Sequence, residues 1–192
     1  MKKRKIIIGV TGASGSIYAK LLISQLQKHK DEIQEVAFLM SENAKKVWKY
    51  ELKEELDLPE SFVHYNGNDF GSPIASGSAN FDTMIICPCS MGTLGRIAAG
   101  ISDDLLLRAA DVMIKEKRRL ILVPRETPLS IIHLRNMTSL AEVGASIIPA
   151  IPSFYSNPGN IEELAMTVVD RVLAHSGFDN DSYSWGAAGD FE

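Results

Sequence analysis

Five apolar runs alternate along the chain with longer segments that have helical periodicity, and each run stops at small, hydroxylic or charged residues. The runs are Lys5–Val10, Glu35–Met40, Thr83–Cys87, Leu120–Pro124 and Ala145–Ile151. This alternation predicts right-handed βαβ units and an α/β fold, with a mostly parallel sheet and helices on both faces. Because ligands of open parallel sheets bind at the carboxyl ends of the strands, the residues that follow these runs are expected to line one site.

Composition narrows the class of protein further. A chain of 192 residues with 45% hydrophobic content is long enough for one core, so we predict a single domain over residues 1–192. The polar and aromatic tail, roughly 178–192, is expected to pack on the body or on a neighbouring subunit. The net charge is −4 and the basic residues are dispersed, apart from 2–5 and 115–119, so nothing indicates a broad nucleic-acid surface. No apolar run has the length of a signal peptide or a membrane span, which favours a cytoplasmic location.

The two cysteines, Cys87 and Cys89, are one residue apart. A disulfide between them is sterically implausible, and the four scattered histidines do not complete a zinc-site spacing. We interpret them as a small buried thiol and a pocket-lining residue, which fits a reducing compartment and predicts no metal site.

Helix signals complete the expected organisation. The predicted helices cover 17–28, 42–55, the stretch from Ser102 or Asp103 to Lys117, the stretch from Thr127-Pro128 to Gly144, and the stretch from Asn160 onward. Ser41 is the expected N-cap of the second helix, and Glu163 completes a capping-box-like pattern with Asn160. The segment 59–79 is rich in Gly, Ser, Asn and Pro, which predicts a long surface loop without a core element.

The turn Gly9–Gly15 is the first candidate ligand site. It presents backbone N–H groups beside the positive end of the first predicted helix, which suits a phosphate or another electron-rich ligand edge. The spacing departs from G-x-G-x-x-G, and the second strand ends in Met40-Ser41 where a ribose-binding acid would stand. The pattern therefore favours a mononucleotide over NAD, with a tight turn that binds nothing as the alternative.

Two further strand-to-helix turns carry functional groups. In Pro88–Leu94, Ser90, Thr93 and the intervening amides suit a phosphate or a flavin edge, and the alternative is simple N-capping by Ser90. Arg125-Glu126 places a guanidinium and a carboxylate directly after a strand. Since surface ion pairs contribute little, a phosphate clamp or a catalytic acid is the better interpretation of that position.

Other charged residues are ambiguous by themselves. Arg108 and Lys115 are seven residues apart and share a helix flank, but Asp104 and Asp111 precede them at i, i+4, as on an ordinary solvated helix face. Arg171 flanks the apolar face of the last helix. Tyr155 follows the last strand, and Glu51 carries no signal of its own.

Several motifs together resemble the flavin prenyltransferase family, whose members were formerly described as 3-polyprenyl-4-hydroxybenzoate or phenylacrylic acid decarboxylases. The resemblance runs from Gly9 to about Gly177. It rests on Thr11-Gly12-Ala13-Ser14-Gly15, Ala75-Ser76-Gly77-Ser78, Cys87–Leu94, Arg108–Val112 with Lys115-Glu116, Arg125–Leu129 followed by His133-Leu134, and Pro152–Tyr155. Several independent motifs in the right order make the resemblance specific.

The resemblance implies a three-layer Rossmann-like flavoprotein fold and a metal-independent transferase. Such an enzyme joins a dimethylallyl group from dimethylallyl phosphate to reduced FMN, at N5 and C6. The product, prenylated FMN, would serve a partner decarboxylase. The resemblance also implies a homo-oligomer, a dodecamer, in which phosphate-binding groups come partly from neighbouring subunits.

The resemblance further implies roles for individual residues. FMN would be held by Gly12, Ala13, Ser14, Ser41, Ser90, Met91, Gly92, Thr93 and Arg125. The phosphate of the prenyl donor would be held by Arg108, Lys115, Tyr155 and Arg171. The catalytic residues at the reacting centre would be Ser14, Glu51, Ser90 and Glu126. Physical chemistry agrees, because breaking an allylic C–O bond leaves negative charge on phosphate that convergent Arg, Lys and Tyr side chains stabilise.

Two other functions stay open at this stage. A flavin-dependent cysteine decarboxylase would share a segment like Ile97–Leu105, but it would resemble this chain less at Arg125–Pro128 and Phe154-Tyr155. A non-catalytic FMN-binding subunit is the other alternative. Since storage of FMN needs no second phosphate site, the full set of phosphate-binding residues argues against it.

Overall fold

A parallel six-stranded sheet organises residues 3–179, which are the residues that the computed structural model describes. The strands are β1 (Arg4–Val10), β2 (Ile33–Met40), β3 (Phe62–His64), β4 (Thr83–Cys89), β5 (Arg119–Pro124) and β6 (Ser146–Ile147). Their order across the sheet is β3-β2-β1-β4-β5-β6, and all neighbours pair in parallel. The chain therefore starts in the middle and reverses its direction of travel between β1 and β4, which is where α/β sheets open a crevice for ligands.

Helices cover both faces of the sheet. They are α1 (Ser16–Lys28), α2 (Glu42–Leu52), α3 (Met91–Ala98), α4 (Leu105–Lys115), α5 (Ile131–Glu142) and α6 (Ile161–Ser176). Helices α1, α2 and α6 pack on one core with Ile6 and Ile8, whereas α3, α4 and α5 pack on a second core with Ile7. Because the central strands are buried on both faces, they are continuous apolar runs in the sequence. The predicted α/β class is confirmed.

Capping side chains set most helix boundaries. The Ser41 hydroxyl accepts the N–H of Ala44 at 3.2 Å, and the Asn160 side-chain oxygen accepts the N–H of Glu163 at 2.9 Å, as predicted. Helix α4 begins two or three residues later than predicted, because the Asp104 carboxylate accepts the N–H of Leu107 at 2.7 Å. Helix α2 ends three residues before the predicted position 55, where Lys53 adopts a left-handed φ of 58°.

The predicted start of α5 at Thr127-Pro128 is wrong. Ser130 is the N-cap: its hydroxyl accepts the N–H of His133 at 3.2 Å, and its own N–H donates to the His133 ring at 3.2 Å. This reciprocal pair satisfies the backbone N–H groups of Ser130 and His133 at once. It therefore stabilises a helix start at this position more than a cap by Thr127 alone would stabilise one three residues earlier. Residues 125–130 consequently form an exposed connection after β5. The predicted end is confirmed, since Gly144 follows α5 with a φ of 92°.

The predicted surface loop over 59–79 is only partly correct. It contains the edge strand β3, paired with β2, and two short 3-10 turns, Pro73–Ala75 and Gly77–Ala79. The side chain of Ile74 is 1% exposed and packs into the second core. The segment is therefore anchored at both ends of its length by apolar burial.

The last predicted strand is shorter than expected. Only Ser146–Ile147 pairs regularly, although the N–H groups of Ile148 and Ala150 still donate to the carbonyls of Leu122 and Pro124 at 2.8 and 2.9 Å. The chain therefore follows β5 to its carboxyl end and delivers the segment 151–155 to that rim of the sheet.

Both cysteines are fully buried free thiols, so the interpretation of one as a pocket-lining residue is wrong. They lie on opposite faces of β4, with Cys87 in the first core and Cys89 in the second. Burial raises the pKa of Cys89 to about 12, and burial and the neighbouring Cys89 also raise the pKa of Cys87. Neither sulfur is a thiolate nucleophile at neutral pH.

Of the predicted tail, Phe178 and Asp179 fall within the described residues and 180–192 lie outside them. The Phe178 ring is 3% exposed, with the Arg4 guanidinium 4.5 Å from its centroid and the His29 ring 4.8 Å away. Over residues 3–179, none of the helices has both the length and the apolarity that a membrane crossing needs. The cytoplasmic location stays a prediction.

Truncation of Ile74 tests whether the 59–79 segment is anchored in the core. Ile74→Ala is expected to lower the free energy of unfolding by about 2–4 kcal/mol, because it opens a cavity under the two 3-10 turns. Phe70→Ala is the matched control, since Phe70 lies in the same segment but is 48% exposed. Urea unfolding at one fixed protein concentration measures both, and equal small losses would contradict the anchoring.

Candidate functional site

The hydroxyl of Thr11 ties the turn after β1 to the turn after β4. It donates to the Pro88 carbonyl at 2.9 Å and accepts the N–H of Ser90 at 2.7 Å. The Thr11 N–H also donates to the Pro88 carbonyl, at 3.2 Å. Thr11 is 3% exposed and was not among the predicted site residues, although its place directly after a strand is a usable signal.

Two more backbone hydrogen bonds hold the neighbouring turns beside these two. The Ser41 N–H donates to the Val10 carbonyl at 3.0 Å, and the Arg125 N–H donates to the Cys89 carbonyl at 3.2 Å. The turns after β2, β1, β4 and β5 therefore lie side by side at the point where the strand order reverses. These turns carry all the residues predicted to hold the flavin: Gly12, Ala13, Ser14, Ser41, Ser90, Met91, Gly92, Thr93 and Arg125.

Glycine is required at two positions of the first turn. Gly15 has a φ of 109° and immediately precedes α1. A side chain at Gly12 would place its Cβ 2.7 Å from the Cβ of Asn43, in the first turn of α2. Gly12 is nevertheless exposed on its other side, so its backbone is accessible to a ligand. Asn43 is a neighbour of this site that the sequence did not reveal.

The start of α3 offers backbone donors. The Ser90 hydroxyl accepts the N–H of Thr93 at 3.3 Å, so Ser90 is an N-cap as the simpler interpretation predicted. The side chains of Met91 and Thr93 are buried, whereas Gly92 is exposed with open space around it. Within residues 3–179, no acceptor bonds the N–H groups of Met91 and Gly92. These two N–H groups lie at the positive end of α3, which is a suitable place for an anion to bind.

The carboxylate of Glu51 occupies the start of α1. It accepts the N–H of Gly15 at 3.0 Å and that of Ser16 at 2.8 Å. Partial burial raises the pKa of Glu51, but hydrogen bonds from the Ser14 side chain and from the Ser16 and Gly15 amides outweigh burial and lower the pKa overall. Glu51 is therefore ionised at neutral pH and fixed beside Ser14, where it can accept a proton. Two of the four predicted catalytic residues, Ser14 and Glu51, are thus brought together.

Arg125 and Glu126 stand at the other side of the same rim. Both are exposed, and the Glu126 carboxylate accepts the N–H of Thr127 at 3.0 Å. Among the ion pairs of the described chain, none joins Arg125 to Glu126, so they do not form the surface pair that was the alternative. Their charges are both available to a ligand.

Tyr18 is a second residue that the sequence did not reveal. It lies in the first turn of α1, half-buried, with its phenol close enough to Cys87 and Arg125 to interact electrostatically with both. Burial and Cys87 raise the pKa of Tyr18, and the Arg125 charge opposes them only in part. The phenol therefore keeps its proton at neutral pH and presents a polar group to the same rim.

The predicted phosphate-binding residues are divided between the two faces of the sheet. Arg108 and Lys115 lie on α4, which packs on the second core, whereas Arg171 lies on α6, which packs on the first. Tyr155 lines an open cavity of about 810 Å³ together with Arg171. One copy of the chain therefore does not bring the four residues to one point.

The ion pairs on α4 differ from those expected at i, i+4. Arg108 pairs with Asp111 at 2.7 Å, and Lys115 pairs with Glu116 at 2.7 Å. Asp104 is instead the N-cap of α4. The two i, i+4 pairs that the sequence suggested are therefore absent among the ion pairs of the described chain, although both basic side chains lie on a part-exposed flank.

Comparison with known proteins decides the family. A family model described as Flavoprotein matches residues 1–176. A flavin prenyltransferase UbiX from Thermoplasma acidophilum is 46% identical over 179 residues, which are 92% of this chain and 97% of that protein. The chain belongs to the flavin prenyltransferase family. Membership makes it a flavoprotein and a transferase enzyme.

Solved structures of flavin prenyltransferase relatives share the architecture. A structure described as a dodecameric FMN-dependent UbiX-like decarboxylase from Escherichia coli O157:H7 has a TM-score of 0.87 and 38% identity, covering 94% of this chain and 98% of that one. A structure of AnUbiX (PadA1) in complex with FMN and dimethylallyl pyrophosphate has a TM-score of 0.80 and 39% identity, covering 96% and 100%. The Rossmann-like fold implied by the motifs is confirmed.

Neutralising Glu51 tests its charge at the start of α1. Because its pKa is lower in the folded chain, the ionised group stabilises the fold above its ordinary pKa of 4.5, and this contribution is lost as the pH falls through the folded value. Glu51→Gln is therefore expected to lower the free energy of unfolding by about 0.5–1 kcal/mol at pH 7, after allowance for solvent screening. The difference in unfolding free energy between Glu51→Gln and wild type is expected to shrink as the pH falls below about 4.5 and through the lower pKa of the folded chain.

Glu54→Gln is the control, since Glu54 makes an exposed pair with Lys20 and bonds no helix start. Urea unfolding between pH 3 and pH 7 measures the three proteins. A deficit of Glu51→Gln that is the same at every pH, or the same as that of Glu54→Gln, would show that the Glu51 charge has no special role.

Proposed function

We propose that the chain joins a dimethylallyl group from dimethylallyl phosphate to reduced FMN, at N5 and C6, and releases prenylated FMN for a partner decarboxylase. The observation that supports this most is the ionised Glu51 held beside Ser14 at the same rim as the free amides of Met91 and Gly92. Such a rim combines a proton acceptor with donors for an anionic ligand. The names of the relatives supply the reaction class.

FMN fits the groups at this rim. The free N–H groups at the start of α3 and the exposed Arg125 guanidinium suit its phosphate and its electron-rich carbonyl edge. The exposed backbone at Gly12 and the open space around Gly92 leave room for a flat ring to approach closely. The AnUbiX neighbour, described as a complex with FMN and dimethylallyl pyrophosphate, supports the same pair of ligands.

The remaining residues take roles that the charges require. Cleavage of the allylic C–O bond leaves two electrons on the phosphate oxygen, and Arg108, Lys115, Tyr155 and Arg171 stabilise that charge. The bound reduced flavin supplies an electron-rich ring that receives the allylic group without a metal. Glu51, ionised and fixed by Ser14, is placed to accept the proton that the flavin loses. Glu126 provides a second carboxylate at the reacting centre.

We further propose that the chain works as a homo-oligomer, a dodecamer, in which one copy supplies Arg108 and Lys115 and another supplies Tyr155 and Arg171. Their separation onto two faces of the sheet supports a site shared between copies. Large apolar side chains that are exposed in and around α5 and after β6 support assembly as well. They are Leu129, Ile131, Ile132, Leu134, Ile151 and Phe154, which are 44–76% exposed. The related structure from E. coli, described as dodecameric, has the same fold.

The mass of the flavin product tests the reaction. Anaerobic incubation of the protein with reduced FMN and dimethylallyl phosphate is expected to raise the flavin mass by one C5H8 unit, about 68 Da, because C5H9 is gained and one proton is lost. Glu126→Gln and Arg171→Ala are expected to reduce this yield at least about 100-fold. Glu60→Gln, which changes an exposed carboxylate before β3, is the matched control.

Flavin that stays unchanged with both the mono- and the diphosphate donor would overturn the prenyltransferase proposal in favour of a flavin carrier or a decarboxylase. A mass increase that survives in Arg171→Ala would keep the reaction and remove Arg171 from the phosphate site.

A negative charge placed among the exposed apolar side chains of α5 tests the site shared between copies. Ile132 is 64% exposed on α5, and Ile132→Glu is expected to convert the assembly to smaller species, as measured by light scattering. Because the phosphate site would then be incomplete, prenyl transfer should be lost together with assembly. Val63→Glu is the control, since Val63 is 43% exposed on the distant strand β3. Full activity in dissociated Ile132→Glu would rule out a site between copies.

A further inference from the structure

The guanidinium of Arg108 is held on two sides by protein acceptors. Its Nε donates to the Ala75 carbonyl at 3.1 Å, and its Nη1 donates to the Asp111 carboxylate at 2.7 Å. Within the described chain, its Nη2 group bonds no acceptor. Two N–H donors of a charged, immobilised group therefore have no acceptor in the described chain, and they are the kind of donors that a phosphate oxygen binds.

The carbonyl partner of Arg108 is itself fixed. Ala75 ends the first 3-10 turn, its N–H donates to the Ser72 carbonyl at 3.1 Å, and the neighbouring Ile74 side chain is buried in the second core. Arg118 holds the same loop two residues later, by donating to the Gly77 carbonyl at 2.6 Å. These contacts fix the loop beside α4, so the Ala75 carbonyl is a fixed acceptor for the Arg108 side chain.

Helix stability does not explain Asp111. The Arg108 and Asp111 side chains are 35% and 39% exposed, and exposed pairs of this kind contribute little to the free energy of folding. The acid also follows the base along the helix, which is the less favourable order for an intrahelical pair. Asp111 caps no helix end and bonds no other group among the described residues. Within residues 3–179, its one hydrogen-bond and ion-pair partner is the Arg108 Nη1 group.

We propose that Asp111 is a positioning residue of the prenyl-donor site: with the Ala75 carbonyl, it holds the Arg108 guanidinium so that Nη2 is presented to the phosphate of the allylic substrate. This inference rests on the proposed function, which assigns Arg108 to that phosphate. Asp111 itself does not touch the phosphate, since two negative charges would repel. Its effect is to remove the orientational freedom that a solvated arginine would otherwise lose on binding.

The test uses binding as well as turnover. The affinity of FMN-loaded protein for dimethylallyl phosphate is measured by titration calorimetry, and kcat and KM are measured from the formation of prenylated FMN. Asp111→Asn is expected to raise both Kd and KM about tenfold with kcat changed less than about threefold, and to leave FMN affinity and the thermal midpoint unchanged. Asp111→Glu, which keeps the carboxylate within reach of Arg108, is expected to recover most of the affinity.

Asp103→Asn is the matched control, because Asp103 makes an exposed ion pair with Arg96, at 3.3 Å, and neither residue is assigned to the prenyl-donor site. Unchanged Kd in Asp111→Asn, or an equal change in Asp103→Asn, would overturn the positioning role. A lower thermal midpoint with parallel loss of FMN affinity would also overturn it, by showing a structural role. Weaker binding of the phosphate in Asp111→Asn, with no prenylated flavin formed even by wild type, would uphold the positioning role and reject the reaction.

Discussion

The buried hydroxyl of Thr11 is the contact on which the rim of the sheet depends. It bonds a carbonyl and an N–H of the turn after β4, so the Gly-rich turn after β1 cannot move independently of the start of α3. The Thr11 hydroxyl uses its one donor and one of its acceptor lone pairs, and loss of either bond would leave a buried donor without that partner. The two turns that flank the reversal of strand order therefore behave as one surface.

Charge then divides that surface into two parts. The protein fills the positive end of α1 with its own carboxylate, Glu51, whereas the start of α3 keeps two free N–H groups. An anionic ligand would consequently be favoured at the start of α3 and at Arg125, whereas the ionised carboxylate stays beside Ser14, where it can accept a proton.

The sequence was sufficient for five of the six strands in the described chain and for the turns that carry the site, because buried parallel strands are continuous apolar runs and ligands lie at their ends. Strand β3 was missed because only Phe62 of its three residues is buried. Its sequence therefore shows no alternation of apolar and polar residues, and the strand forms through its pairing with β2. The start of α5 was misplaced because two hydroxyl caps compete there, and a contact with the His133 ring decides for Ser130.

Contacts between distant elements were the main limit of the sequence. Glu51 reaches Gly15 across 36 positions, and no local pattern distinguishes it from other helix carboxylates. Tyr18 likewise has an ordinary helical position, and only the fold brings it near Arg125. Motif resemblance supplied Glu51, because similarity to a family carries information about three-dimensional contacts that spacing does not. It also implied a phosphate site whose four residues a single copy keeps on two faces of the sheet.

A crystal structure of the assembled protein with FMN and dimethylallyl phosphate bound would test the shared phosphate site directly. We predict one phosphate in contact with Arg108 and Lys115 of one copy and with Tyr155 and Arg171 of another, beside a flavin at the switch point. A phosphate held by residues of one copy alone, or a flavin bound away from the turns after β1 and β4, would contradict this prediction.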